Sequence, residues 1–388
     1  MEIVRLKRTS RILSGHPWVF SNELATSPKI YEPGSLLELR DGKNNFLGIG
    51  YINPHSLIAI RVITRNKENI DRDFFRKRIL HAVEYRNRFL KDTDSFRVIY
   101  SEGDNLPGLI VDKYDRCLSV QFLTLGMERW SEIIIDVLDM IFSPSVIVLR
   151  NDSSTRLLEG LKIEKKILKG TMDGYPVIFE DSLRFEVDPL SGQKTGFFLD
   201  QRENRMAFSR LIDGGKGLDL FCYTGAWGIH MAGKGADVIG VDESDYAISQ
   251  AMKNAGMNGL SERCGFIKTE VFDYLKKEIS KGSRYDFIVL DPPAFVKSKS
   301  KLREAMKAYR AINSNALRLL EAGGLLATSS CSYHMSRELF TEVLRLAARD
   351  AGRQVRVIGM RSQAGDHPVL LSVPETEYLK CVFLIADP

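Results

Sequence analysis

The sequence lacks the marks of several protein classes. Its five cysteines, Cys117, Cys222, Cys264, Cys331 and Cys381, are scattered and include no C-x-x-C pair, so neither a disulfide framework nor a metal site is expected. No run of about eighteen apolar residues occurs, and the opening MEIVRLKRTSR places charge where a signal peptide needs its apolar stretch. Membrane spanning and secretion are therefore not expected, and a reducing cytoplasm is the compartment that fits. There is also no internal repeat and no low-complexity tract, which sets aside repeat architectures.

What is present is ordinary in amount and uneven in placement. A chain of 388 residues is too long for one hydrophobic core, so two or three modules are expected. The formal net charge is +5, but residues 1–91 hold 17 Lys and Arg against 9 Asp and Glu, which leaves the remainder slightly acidic. A basic first third is what a polyanion-binding module shows, although a solvated face without a partner would show it too.

Turn signals cut the first 66 residues into short strand-like runs: LLELRD, then GKNN, FLGIGYI, NPHS and LIAIRVI, which predicts a small all-β barrel or sandwich. From Asp71 to Leu90 the pattern becomes helical, with Phe75, Ile79, Val83 and Leu90 near one face and Arg72, Arg76, Arg86 and Arg88 elsewhere. Turn candidates NLPG and YDR then separate apolar runs, and a small α+β middle domain is expected to end near residue 180. Beyond it GLDLF, VIGVD, FIKTEV, DFIVLD and LLATSSC alternate with helical stretches. Such alternation predicts an α/β domain over 181–388, with a largely parallel sheet and ligands at the carboxyl ends of its strands.

The chemistry-bearing residues cluster at those strand ends. In DLFCYTGAWG the first strand delivers Asp219, Phe221, Tyr223 and Gly225 where a helix should begin, and a glycine there lets backbone approach a ligand. The loop does not match G-x-G-x-x-G, so a smaller adenosyl ligand suits it better than a dinucleotide. Asp242 ends the second strand, where its carboxylate would accept both ribose hydroxyls or else cap the next helix. Asp273 in EVFDYL has the same two readings, adenine contact or cap. Asp291 opens DPPAF, whose Pro292 and Pro293 fix the backbone and would turn the carboxylate and the Phe295 ring to one cleft, as a flipped base requires. Cys331 ends the fifth strand and reads either as a small buried hydrophobe or, by its address, as an accessible nucleophile. Lys297, Lys299, Lys301 and Arg303 follow DPPAF and offer contacts to a polyanion.

In order, DLFCYTG, VIGVD, EVFDYL, DPPAF and SSCSYH resemble the successive motifs of class I methyltransferases. Together with GHPWVFSNEL, GDNLPGLIVDKY and SGQKTGFFLDQRENR, they resemble the RlmI-like family of large-subunit rRNA cytosine-5 methyltransferases over essentially the whole chain. The resemblance implies a PUA-type RNA-binding barrel over 1–66, an α+β domain over 67–180 and a Rossmann-like, doubly wound catalytic domain over 181–388. It also implies S-adenosylmethionine as cofactor and 23S rRNA as partner, with a homodimer left open. By the same resemblance Lys194, Thr195 and Phe197 shape the cofactor pocket, Asp219 and Gly225 flank the methionine moiety, Asp242 meets the ribose and Asp273 the adenine. Asp291 and Cys331 are then catalytic, with Pro292, Pro293, Phe295 and Lys297 on the substrate side. Where many RNA cytosine-5 methyltransferases carry a second cysteine, this chain has DPPAF, which excludes a two-cysteine mechanism. A related guanine N7 family shares the QKTG-like and DPP-F-like motifs but lacks the fifth-strand cysteine, so Cys331 discriminates between the two targets. An RNA-binding protein without activity is the remaining alternative.

Overall fold

In the computed structural model, which describes residues 1–90, 93–295 and 299–387, the chain forms two units. One comprises Met1–Ile178, Val187–Leu199 and Gly365–Thr376, the other Phe179–Glu186, Asp200–Ala364 and Glu377–Pro388. No helix among the described residues is long and apolar enough to cross a membrane.

The first unit begins with five strands in one sheet, Glu2–Arg5, Trp18–Val19, Leu36–Arg40, Phe46–Ile52 and Ile60–Thr64. The last is shorter than LIAIRVI promised. Asn53 accepts the His55 amide on its side chain, which prolongs the turn and leaves Leu57 81% exposed. The helix Arg72–Phe89 is capped by Asp71, whose carboxylate accepts the Phe74 amide at 3.0 Å. It buries Phe74, Phe75, Ile79 and Ala82, and also Arg86, which periodicity had placed away from the apolar face. Arg86 is buried because its guanidinium is fully engaged: it pairs with Asp104 and donates to the carbonyls of Arg97 at 2.8 Å and Asp366 at 2.7 Å.

A second five-stranded sheet follows, built from Phe96–Tyr100, Leu109–Tyr114, Cys117–Phe122, Val146–Asn151 and Glu164–Lys169. Its neighbours are antiparallel except for the parallel pair Cys117–Phe122 and Val146–Asn151, which the helix Ser131–Phe142 connects. Ile49, Tyr51 and Ile63 of the first sheet share one apolar cluster with Phe75, Ile79, Val111, Val120 and Ile134. The Tyr51 hydroxyl donates to the Pro107 carbonyl at 2.7 Å, so the N-terminal strands are built into the core of this unit.

The second unit is organised by a seven-stranded sheet: β1 Lys216–Leu220, β2 Asp237–Asp242, β3 Cys264–Lys268, β4 Tyr285–Leu290, β5 Leu320–Ser330, β6 Val355–Arg361 and β7 Lys380–Ala386. Their order is β3-β2-β1-β4-β5-β7-β6. β1 to β5 are parallel, and β7 runs antiparallel between β5 and β6. Helices α1 Arg202–Ser209, α2 Ala226–Ala232, α3 Asp245–Met257, α4 Val271–Lys281, α5 Leu302–Leu319 and α6 Arg337–Ala351 complete the doubly wound α/β arrangement. The first three strands run outward from β1, and the chain then returns to place β4 on its other side. The crevice at the carboxyl ends of β1 and β4 is therefore the switch point where such sheets bind ligands.

Candidate active site

Asp219 lies in β1, fully buried, with Oδ2 accepting the Gly228 amide of α2 at 2.8 Å. Its Oδ1 is also buried and has no hydrogen-bond partner. Burial is the main cause that pushes this carboxyl up to about 7; Asp291 and Asp242 push the same way, while the Gly228 amide and Arg205 oppose them. A buried oxygen without a donor, in a cluster of three carboxylates, suits a cationic ligand group such as an ammonium. The following loop is held in an unusual conformation, with Phe221, Tyr223 and Gly225 at φ 63°, 47° and 80°. Two of these are not glycine, and such backbone persists where surrounding structure enforces it. Here Asp242 does so, its Oδ2 accepting the Tyr223 amide at 3.0 Å. At Gly225 an added Cβ would lie 3.0 Å from the Ala251 Cβ and 3.1 Å from the Phe266 ring.

Asp242 ends β2, half-buried, and its Oδ1 accepts the Ser244 amide at 3.0 Å. The cap of α3 is Ser244, so Asp242 is not committed to capping. Asp273 is placed differently: it sits exposed in the first turn of α4, paired with Lys276, and Glu270 supplies the cap.

Asp291 follows β4 directly and is gripped from two sides. Its Oδ1 accepts the Gln201 side-chain amide at 2.9 Å and its Oδ2 the Trp227 indole N–H at 3.1 Å. Gln201 also donates to the Ser329 hydroxyl of β5 at 3.1 Å and accepts from Asn204 at 2.7 Å, so β4, β5 and α1 are tied together at this carboxylate. Pro292 is buried and Pro293 exposed. The half-buried Phe295 ring packs 4.7 Å from Tyr309, centroid to centroid, and 6.4 Å from both Phe221 and Phe272. Lys297 lies outside the described residues, as does the side chain of Lys299; Lys301 pairs with Glu304.

Cys331 stands one residue past β5 and is the one cysteine of the five that is not buried. Burial pushes the thiols of Cys117, Cys264 and Cys381 up to about 12 and that of Cys222 well above its ordinary value. The residues on either side of Cys331 are fixed by one buried hydroxyl: Tyr309 Oη accepts from Ser330 at 3.0 Å and lies 3.1 Å from Ser332 Oγ. Buried Lys380 of β7 donates to the Ser332 carbonyl.

The structure thus brings Asp219, Asp242, Asp291, Phe295 and Cys331 to the carboxyl edge of one sheet. Lys194, Thr195 and Phe197 belong to the first unit. There the Thr195 hydroxyl meets Asp112 and the Tyr114 hydroxyl, the Phe197 amide donates to Tyr114, and the exposed Lys194 ammonium lies 4.4 Å from the Phe198 ring centroid. Sequence reading missed Gln201, Trp227, Tyr309 and Lys380. Gln201 and Trp227 lie inside SGQKTGFFLDQRENR and DLFCYTGAWG but were not singled out there, because the groups they meet are remote in sequence, and Tyr309 and Lys380 lie outside every motif read from the sequence.

Two family models match the chain: a PUA-like domain over residues 3–65 and an S-adenosylmethionine-dependent methyltransferase over residues 152–353. Among curated proteins, ribosomal RNA large subunit methyltransferase I of Shewanella denitrificans is 38% identical, covering 94% of each chain. The same-named protein of Aeromonas hydrophila is 37% identical, covering 96% of each. Among solved structures, a candidate methyltransferase complexed with SAH superposes with a TM-score of 0.86 at 19% identity, covering 99% of this chain and 100% of that one. A candidate SAM-dependent methyltransferase from Streptococcus mutans gives 0.84 at 20% identity over the same shares. These two likenesses speak to the Rossmann-like fold.

Proposed function

This chain belongs to the ribosomal RNA large subunit methyltransferase I family of S-adenosylmethionine-dependent enzymes, and from that premise we propose that it forms 5-methylcytosine in large-subunit rRNA through a covalent Cys331–C6 bond. The observation that carries the reading is the address of Cys331: a half-exposed thiol beyond β5, next to the strand that ends at Asp291, with both flanking residues pinned.

S-adenosylmethionine supplies the methyl group. Asp219 is proposed to receive its ammonium, which would give the buried Oδ1 a donor, with Phe221, Tyr223 and Gly225 beside it. Asp242 is proposed to accept from the ribose hydroxyls. Lys194, Thr195 and Phe197 are proposed as cofactor-side residues on the resemblance of QKTGFF alone. Asp273, turned to solvent and paired with Lys276, is left out of this set.

Cytosine C5 is a poor nucleophile while the ring keeps its aromatic character. The Cys331 sulfur adds its electron pair to C6, the C5–C6 double bond opens toward C5, and Asp291 shares the proton that N3 takes up. Gln201 and Trp227 hold that carboxylate in place. C5 accepts the methyl group and loses its proton to a base, and re-formation of the double bond expels the thiolate. Pro292 and Pro293 stiffen the turn that presents Asp291, and Phe295 offers an aromatic face for the base. The PUA-like N-terminal domain and the basic helix after it are proposed to bind RNA phosphates.

Rebuilt RNA carrying 5-fluorocytidine at the target tests the mechanism. Fluorine cannot leave as a proton does, so the parent protein should give a covalent band that survives denaturing electrophoresis. Cys331→Ala should abolish both band and turnover, while Cys222→Ala should still trap RNA. Turnover at the parental rate in Cys331→Ala would exclude the adduct and favour a ring nitrogen such as guanine N7, which has an in-plane lone pair and needs no covalent help.

A further inference from the structure

In the first unit, beside the short strand Trp18–Val19, an open cavity of about 440 Å³ has Arg8, Arg11, Phe20, Glu23 and Leu57 in its lining. That volume falls within the roughly 300 to 1,000 Å³ of small-ligand clefts. The groups around it do not satisfy one another. The Arg11 guanidinium lies 4.7 Å from the Phe20 ring centroid, and its buried Nε donates to no acceptor among the described residues. Glu23 Oε1 is 3.7 Å from that nitrogen, close enough for an ion pair and too far for a hydrogen bond. The other oxygen of the same carboxylate, Oε2, accepts the Phe20 amide at 2.8 Å, which fixes Glu23 and leaves Oε1 as the acceptor beside the cavity. Leu57, 81% exposed, is held there by its carbonyl, which accepts the Ser21 amide at 3.3 Å. Arg8 and Arg11 against Glu23 leave the lining positive.

We propose that this cavity takes one unstacked nucleotide of single-stranded RNA, with the base on the Arg11 guanidinium plane and Leu57, its exocyclic amino group on Glu23 Oε1, and its phosphate on Arg8. A guanidinium backed by an aromatic ring is a stacking surface for a base, and a carboxylate accepts from the amino group of cytosine. A duplex does not fit this description, because its bases are already stacked and paired. An acidic peptide fits it less well, since Glu23 would face a like charge. The inference rests on the reading of the N-terminal domain as RNA-binding and adds base selection to it, which phosphate contacts alone do not provide.

Fluorescence anisotropy of the full chain with labelled hexacytidylate and hexauridylate tests the proposal. Hexacytidylate should bind at least about fivefold tighter, since uracil presents O4 where cytosine has its amino group. Arg11→Leu, which keeps an apolar contact for Phe20, should weaken hexacytidylate about tenfold. Glu23→Gln keeps an oxygen for the Phe20 amide and makes the other position a donor, so the preference for cytidine should vanish or reverse. Should either variant not fold, Leu57→Glu decides, because that side chain is exposed; a carboxylate there should also cost about tenfold. Equal binding of the two oligomers by the parent, or parental affinity for hexacytidylate in Arg11→Leu or Leu57→Glu, overturns the proposal. Cytidine 5′-monophosphate binding as tightly as the hexamer would assign the cavity to a free nucleotide, and displacement by hexaglutamate at equal concentration to an acidic protein; either result overturns it as well. A blunt RNA duplex judges the underlying reading separately, and its affinity should stay within about threefold of the parent in Arg11→Leu. A parent that binds neither duplex nor hexamer removes the RNA-binding reading, whereas one that binds the duplex and does not distinguish the hexamers removes the cavity alone.

Discussion

At the level of single residues, Asp219 is held in a costly state. Its carboxyl ordinarily titrates at 3.8 and is pushed up to about 7 in the folded chain. Between those values the folded chain keeps a proton that the unfolded chain has lost, so this group makes folding less favourable as pH rises toward 7, and the deficit is constant above. Asp219→Asn keeps an acceptor for the Gly228 amide and removes the titration. Without cofactor, urea unfolding should show the variant gaining on the parent from pH 4 to 7, to a plateau on the order of 2 to 4 kcal/mol. With cofactor the ranking should reverse, because an ammonium ligand favours the ionised form: parental affinity should climb through pH 7, and the variant should bind weakly at every pH. Asp242→Ala should weaken S-adenosylmethionine binding by about 1.5 to 3 kcal/mol in calorimetry. Parental affinity in a folded variant would remove Asp242 from the ribose. Asp242, Asp291 and Cys331 were legible in the sequence because each ends or directly follows an apolar strand-like run, and Asp219 because it interrupts one, GLDLF, just before the glycine-bearing loop. Gln201 was not, since 90 positions separate it from the carboxylate it holds, and Trp227 is 64 away.

Among the elements, the helix Arg72–Phe89 was read to within a residue, because its cap, its apolar spacing and its cationic face agree. The same reading misassigned Arg86, whose burial depends on Asp104 and two carbonyls that periodicity cannot see. The distinction separates two experiments. Arg76, Lys77 and Arg88 are exposed, and replacing all three with Ala should leave the fold intact and reduce the slope of log affinity for RNA against log salt by about 2. Arg86→Ala should instead cost about 3 to 5 kcal/mol of stability, by stranding Asp104, before RNA binding is even considered. An unchanged salt slope in the triple variant would leave this face without a polyanion partner. Strand reading was weaker. The fifth strand begins earlier than LLATSSC, because β5 also takes in EAGG, absorbing Gly323 at φ 77° through a register shift between Tyr285 and Phe287 of β4. β6 escaped notice because it is an edge strand with Val357, Ile358 and Met360 exposed, and so has no buried stripe to reveal it.

For the molecule as a whole, sequence reading pointed through the length of the chain to more than one module, and through the alternation of runs to a doubly wound sheet. It could not show that the N-terminal strands share a core with the helix and second sheet of the same unit. Ile49, Tyr51 and Ile63 pack with Phe75, Val111 and Ile134, so cutting the chain after residue 66 should remove more than an RNA-binding surface. The shortened protein should melt more than about 5 °C below the parent, the consequence of losing several large core side chains. Equal melting temperatures would show that the barrel is separable. The position of β7 carries a different consequence, one of timing. Ribosomes deliver a chain from its N-terminus, and β6 pairs in the sheet with β7 alone, so β6 emerges with no strand to dock on. Lys380 trails Ser332, whose carbonyl it will hold, by 48 residues. The sheet that carries the proposed catalytic groups is therefore closed by its last-made strand, threaded between two that were synthesised before it. A nascent chain that has not yet reached Ala386 holds Cys331 without the seam that fixes it, and its chemistry should begin only when that stretch has been made and inserted.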